Sequence, residues 1–224
     1  MNLILGGRGY IATNLLKLVP DSIIYDKADH LDICDYDVLE GYIRGKNVET
    51  VYHLAAIPGV ANCEADRREA FHVNVEGTFN VASLCAEYGK RLVFASSAAA
   101  DSCVNFYGLT KKLGEEIVLH FKGRACRISN VWGGEGFLER KDTVVARLVK
   151  GTFEERNLDY SRRDYIHANE ACRCLVEASE QPAGLYRIRT GHETYLKDLK
   201  AMSELKDFPD CLRRPGRLEL MFLV

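Results

Sequence analysis

The sequence predicts an α/β protein built as a doubly wound parallel sheet, and two observations carry that prediction. The first is the opening stretch MNLILGGRGYIATNLL. A short apolar run at Leu3–Leu5 meets a glycine turn at Gly6-Gly7-Arg8-Gly9, and Ile11, Leu15, Leu16 and Val19 then recur at helical spacing. The second is that strand-length apolar runs and helical patterns alternate from there to about residue 135. Strand, glycine turn and helix in quick succession is how a Rossmann-type dinucleotide fold begins. The glycines let the backbone turn tightly and approach a pyrophosphate, whose charge then sits among the unpaired N–H groups of the helix start.

At 224 residues the chain can bury a full core. Its 30 Lys and Arg against 32 Asp and Glu leave a formal charge of −2, so no basic excess exists to neutralise nucleic-acid phosphates or an anionic membrane. No stretch approaches the roughly 18 apolar residues of a membrane span. The glycines after LIL also leave no room for the apolar core of a signal peptide, so the expected location is cytoplasmic. The eight cysteines are scattered, with only Cys172 and Cys174 close together and no histidine at ligand spacing. They read as reduced thiols, and no metal site is expected.

In chain order, Ser22–Tyr25 reads as a second strand ending at Asp26, twenty positions after Gly6. An acidic residue at that distance is placed to bond the adenosine ribose. His30–Asp35 looks strand-like, and a helix is expected from about Asp37 to Gly45. Thr50–Ala55 is a buried strand running into Ala56, whose small side chains permit close approach of a ligand at the strand's C-terminal end. His53 within it reads as a packed residue rather than a base. Glu64–Tyr88 is expected as one long helix with apolar residues on more than one side, which must be covered twice. Arg91–Ala95 is the next strand, followed by Ser96-Ser97. Tyr107–Phe121 is then a helix with Leu109, Leu113, Ile117 and Phe121 on one stripe, and Arg124–Ser129 a further strand. Beyond residue 135 the pattern loosens to short helices near 142–150, 168–179 and 196–205 and a strand at Gly184–Ile188. The expected organisation is a dinucleotide-binding unit over 1–135, with sheet contributions from later segments. Residues 136–224 form a small α/β cap that is not an independent domain.

The chemistry concentrates between residues 97 and 111. Tyr107 and Lys111 are four apart on the expected helix and share a face, while Ser97 ends the preceding strand. A hydroxyl, a phenol and an ammonium suit a carbonyl–alcohol redox reaction, in which the phenol exchanges a proton with the substrate oxygen while hydride moves to or from nicotinamide. A phenol with an ordinary pKa near 10 serves as a base at neutrality only where nearby positive charge favours the phenolate. Lys111 would supply that charge, and Ser97 would hold the substrate oxygen.

Together these segments resemble an extended short-chain dehydrogenase/reductase of the NAD-dependent epimerase/dehydratase group, over nearly the whole chain. GGRGYIA matches the glycine turn of that family, with Ala12 in place of the last glycine. Asp32-Ile33 resembles the pair that holds adenine, HLAA at His53–Ala56 the strand ending beside the cofactor, and Asn74 in NVEGTFNV the family's NVxGT helix. FASS, YGLTK and RISNVWG resemble the catalytic serine strand, the Tyr–Lys helix and the segment after the following strand. RDYIH at Arg163–His167 and LRRPG at Leu212–Gly216 resemble the elements that hold a nucleotide-sugar diphosphate. The resemblance implies Ser97, Tyr107 and Lys111 as the catalytic set. It implies a cofactor held by Gly6, Arg8, Gly9, Tyr10, Ile11, Asp26, Asp32, Ile33, Leu54, Ala55, Ala56, Asn74, Tyr107 and Lys111. Ser97, Asn130, Arg163 and Arg214 become candidates for the substrate, since a guanidinium binds phosphate through two parallel hydrogen bonds. It also implies a homodimer formed through the helices at about 64–88 and 107–121.

Several positions depart from the family pattern. Ala98 and Ala99 stand where 4,6-dehydratases carry Asp and Glu, and alanine cannot move protons, so dehydration is disfavoured. Only ten positions separate Ser97 from Tyr107, and Arg217 replaces the acidic residue expected after RPG. The expected activity is therefore an NAD(P)-dependent epimerase or oxidoreductase of a sugar, with a nucleotide-sugar as the expected substrate. A keto-sugar reductase or dehydrogenase and a noncatalytic dinucleotide sensor are the alternatives. Asp26 favours NAD by repelling a 2′-phosphate, whereas Arg8 is placed where NADP-using relatives often carry a basic residue. The carboxylate, at the ribose edge itself, is the stronger signal.

Overall fold

A computed structural model describes residues 1–45, 47–139, 143–154, 162–203 and 212–221. Seven strands form the main sheet: β1 (Asn2–Leu5), β2 (Ser22–Tyr25), β3 (Thr50–His53), β4 (Arg91–Ser97), β5 (Arg124–Ile128), β8 (Gly184–Arg189) and β10 (Arg217–Met221). β6 (Asn130–Trp132), β7 (Arg162–His167) and β9 (Glu193–Tyr195) form a second, three-stranded sheet. The main sheet runs β10-β8-β5-β4-β3-β1-β2, parallel throughout except for β10, which lies antiparallel on β8. From β1 the chain moves outward to β2 and then returns to β3 on the other side. That reversal opens a crevice at the strand ends, as in other Rossmann-type sheets.

Alternation along each strand sends side chains to two helical layers. Leu3 and Leu5 of β1 face one layer with Leu39 and Ile43 of α2 (Tyr36–Ile43), Val81 and Leu84 of α5 (Gly77–Glu87) and Val118 of α6 (Phe106–His120). Ile4 faces the other, with Ala12 and Leu15 of α1 (Tyr10–Leu15) and Ala171 and Leu175 of α8 (Ala168–Ser179). A third cluster beside the small sheet gathers Trp132, Phe137, Tyr165 and Leu212 with α7 (Val144–Val149) and α9 (Leu196–Met202). Positions 142 and 204–205, at the expected ends of two helices, lie outside the described residues.

The structure corrects the sequence reading at four places. His30–Asp35 is not a strand, because its aspartates spend their carboxylates on local backbone. Asp32 accepts from Cys34 N, and Asp35 caps α2 by accepting from Val38 N. The expected 64–88 helix is α3 (Val60–Ala65), α4 (Arg67–Phe71), a π-helical turn at His72–Glu76 and α5. Asp66, at φ −140°, breaks the first join and caps α4 by accepting from Glu69 N. Strands β6, β7, β9 and β10 were not expected as strands.

The fourth correction concerns α6. Its fully buried face is Gly108, Thr110, Lys111, Gly114, Glu115 and Val118; of the expected apolar stripe Ile117 and Phe121 pack partly buried against the core, whereas Leu109 is 40% exposed. Two glycines make this possible. A Cβ on Gly114 would sit 2.8 Å from Cζ of Phe94, and one on Gly108 would sit 2.4 Å from the carbonyl oxygen of Ala99. Gly108 thus lets the start of α6 rest on the short 3-10 turn Ala98–Asp101 that follows β4. A Gly108→Ala variant should lose about 1–3 kcal/mol, although alanine ordinarily favours a helix by about 1 kcal/mol over glycine. Urea unfolding will read this, and a gain in stability would contradict the packing described.

Candidate active site

The side of the crevice expected to take the cofactor is built by the glycine turn. Gly6 N donates to Tyr25 O at 2.8 Å and Gly9 N to Gly6 O at 3.0 Å, which folds the turn back over the end of β2. Gly6 has φ +77°, and a Cβ there would lie 2.7 Å from Ala55 N, so only glycine fits between β1 and β3. Gly6, Asp26, Asp32, Ile33, Ala55 and Ala56 line a single cavity of about 180 Å³. The Asp26 carboxylate at its rim is fixed by two backbone donors, Arg8 N and Ala28 N, each at 2.9 Å. Burial pushes the Asp32 carboxyl up, but the Cys34 N–H and the Lys27 ammonium 3.0 Å away outweigh it, and its pKa is lowered.

The other residues expected on this side also bond to or pack against the protein itself. Tyr10 donates its hydroxyl to Gly133 O at 2.5 Å, and Ile11 and Leu54 pack against the core on the α8 side. Asn74 is buried in the π-helical turn. It accepts from Ile57 N at 2.8 Å and donates to Ile57 O and to Thr110 Oγ1, which fixes the loop after β3 to α6. His53 is fully buried against Thr78 Oγ1 at 2.9 Å, and burial lowers its pKa to about 3, so it stays neutral.

At the other side of the crevice Ser97 ends β4, and its hydroxyl accepts from Ala99 N at 3.2 Å. Tyr107 is half-buried in the first turn of α6, which Asn105 caps by accepting from Gly108 N. Lys111, one turn on, is 4% exposed. Its ammonium donates to Ala95 O at 2.8 Å, two residues before Ser97, and lies 4.8 Å from the centroid of the Phe94 ring. Burial lowers its pKa to about 8, which leaves it cationic at neutral pH.

Beneath these groups lies an ionic network that the sequence reading missed. Glu115 is fully buried, accepting from Ser96 Oγ at 2.5 Å and from the Arg127 guanidinium at 2.8 and 2.6 Å. Arg127 also reaches Asp101 at 2.6 Å, and Arg187 from the neighbouring strand meets the same carboxylate oxygen at 2.6 Å. The short segment between Ser97 and Tyr107 is thereby pinned at Asp101 to the strands below it. One signal was available: Glu115 follows Lys111 by four residues and so shares its face.

The substrate candidates sit on the small sheet and beyond it. Asn130 in β6 is exposed and donates to Asp164 O at 3.2 Å, next to half-buried Arg163 in β7. Arg214 is exposed on the stretch before β10 and donates to Arg213 O. That stretch is tied to α8 by Gly216, which donates to Glu170 and accepts from Arg173. The structure places Asn130 and Arg163 on adjacent strands, and Arg214 near the start of α8.

Residues 2–188 match the family model described as the NAD dependent epimerase/dehydratase family. The chain belongs to that family. It is an enzyme of that group with a Rossmann-type sheet, as the fold and the shared segments indicate. A Methanocaldococcus jannaschii protein provisionally named a UDP-glucose 4-epimerase is 27% identical over 89% of this chain and 80% of its own. The UDP-glucose 4-epimerase of Thermotoga maritima, solved with UDP-glucose, superposes with a TM-score of 0.79 at 22% identity, covering 96% of this chain and 84% of the other. That of Thermus thermophilus, solved with NAD, gives 0.78 at 21% identity over 90% and 81%.

Removing one partner of the buried pair should be costly, because it strands a charge out of water. Arg127→Met is expected to lower stability by about 3–5 kcal/mol. Lys112→Ala, which removes a half-exposed ammonium 3.8 Å from Glu115, should cost less than about 1 kcal/mol. Equal losses in denaturant titrations would contradict the assignment.

Proposed function

We propose that the chain is an NAD-dependent epimerase of a nucleotide-linked sugar, with Tyr107 as the acid and base. The observation that carries this reading is the placement of Lys111, a buried cation one helical turn from Tyr107 and bonded to the strand that ends in Ser97. The cavity suits the adenosine half of a dinucleotide. Its floor is glycine where a Cβ would strike Ala55, and its rim presents Asp26 held in place by backbone donors. Gly6, Arg8, Gly9, Tyr10, Ile11, Asp26, Asp32, Ile33 and Leu54–Ala56 would hold the adenosine and pyrophosphate, with Tyr107 and Lys111 at the nicotinamide end. Asn74 would keep the Ile57 loop in register. Bound there, NAD supplies a reversible hydride acceptor for a sugar carbinol.

The chain's own groups manage the proton. Ser97 would donate a hydrogen bond to the sugar oxygen, and Tyr107 would take the carbinol proton and later return it. The Lys111 charge favours the phenolate. Asn130, Arg163 and Arg214 would bind the diphosphate of the substrate. The relatives' names support this class of substrate, since the proteins similar to this chain include epimerases of UDP-sugars. Ala98 and Ala99 hold no titratable side chain beside Ser97, which argues against water elimination. Helices α4 to α6 leave Phe71, Phe79 and Leu109 40–50% exposed, which supports a homodimer through these helices.

A panel of nucleotide-sugars incubated with the NAD-loaded chain tests the reading. Isomerised sugar without a lasting change in reduced-cofactor absorbance is expected, and net formation of reduced cofactor would instead mark a dehydrogenase. Tyr107→Phe should lower turnover by about 100-fold or more while leaving NAD affinity within about threefold. Full activity in that variant would overturn the mechanism.

A further inference from the structure

Arg8 and Asp26 argue for opposite cofactors, and a third residue decides between them. The Arg8 backbone N–H is bonded to the Asp26 carboxylate, so its side chain is rooted beside the group read as holding the ribose. A guanidinium there is what would take a 2′-phosphate. It is, however, occupied: Nε and Nη2 donate to the two carboxylate oxygens of Asp29 at 2.7 and 2.5 Å. Asp29 is placed by Asp26 itself. The Asp26 carboxylate accepts from Ala28 N, its carbonyl accepts from Asp29 N, and His30 in the left-handed region (φ 62°) closes the turn. The other cation of this rim is likewise engaged, since Lys27 lies 3.0 Å from Asp32 and 3.5 Å from Glu69. Asp26, Asp29, Asp32 and Glu69 thus outnumber Arg8 and Lys27, and their summed field opposes a dianion.

We propose that Asp29 sets the choice of NAD over NADP, by holding the Arg8 guanidinium in a two-bond ion pair that withholds it from a 2′-phosphate. The inference rests on the reading that this cavity takes the adenosine half of the cofactor. Arg8 is then a latent phosphate ligand, and its counterion on the protein does what a second acidic residue at the ribose would otherwise do.

Equilibrium binding of NAD and NADP, followed by calorimetry on cofactor-free protein, tests this in the wild type, Asp29→Asn and the Asp29→Asn/Arg8→Ala double variant. The wild type should prefer NAD. Asp29→Asn should raise the affinity for NADP relative to NAD by about twofold to fivefold, the range for a solvent-exposed ion pair, with a gain that shrinks as salt is added. The double variant should lose that gain. An unchanged ratio in Asp29→Asn, or equal weakening of both cofactors, would mark Asp29 as merely structural and overturn the proposal. A gain that survives removal of Arg8 would also overturn it, since repulsion by Asp29 alone would then be the cause. Absence of NAD binding to the wild type would refute the underlying site reading, an outcome distinct from the others.

Discussion

Helix α6 buries a cation and an anion under the same face, and the proposed catalytic end of the molecule depends on how they are satisfied. Lys111 meets the Ala95 carbonyl and the Phe94 ring, while Glu115 meets Ser96 and the Arg127 guanidinium. Each partner lies on β4 or β5. The two contacts therefore fix both the height and the rotation of the helix over the sheet, and with them the position of Tyr107 relative to Ser97. A buried charge pair of this kind contributes little net stability compared with apolar packing. What it contributes here is register, since a rotation of α6 would strand two charges at once. Asp101 extends the same logic to the short loop, which Arg127 and Arg187 hold from below.

The opposite side of the crevice is organised by carboxylates acting on backbone. Asp26 bonds the N–H of Arg8 on the glycine turn and that of Ala28 on its own turn, so one side chain joins the ends of β1 and β2. Asp32 and Asp35 do the same for the segment that follows. The crevice thus has a floor without side chains, at Gly6, and a rim rich in anions. That arrangement is the basis of the proposed preference for a ribose without an extra phosphate.

Much of this was legible because it is local. The glycine turn, Asp26 twenty residues later, and the alternation of strands with helices are patterns within one or two elements, and sheet order follows from them by the rules of parallel crossovers. What was misread depends on partners far away in sequence. The stripe Leu109–Leu113–Ile117–Phe121 outweighs Lys111 and Glu115 in any count of apolar residues. Ile117 and Phe121 of that stripe do pack partly buried against the core, but the most deeply buried face is the one with Lys111 and Glu115, because Arg127 and Ala95 wait on the sheet and Gly108 and Gly114 let the helix approach. His30–Asp35 resembles a strand in composition, yet its aspartates capture local N–H groups before any ladder can form. Strand β10 alternates Leu218 and Leu220 with Arg217 and Glu219, a period-two signal hidden by its brevity. Asn74 stood out through the family resemblance, but its bonds to Ile57 required the fold.

The account depends most on the glycine-floored crevice being a site for NAD. The direct measurement is identification of any nucleotide released by acid from the purified protein, followed by titration of the stripped chain with NAD. The account predicts NAD in the extract or saturable binding of one NAD per chain. Recovery of NADP instead, or no saturation up to about 1 mM NAD, would contradict it.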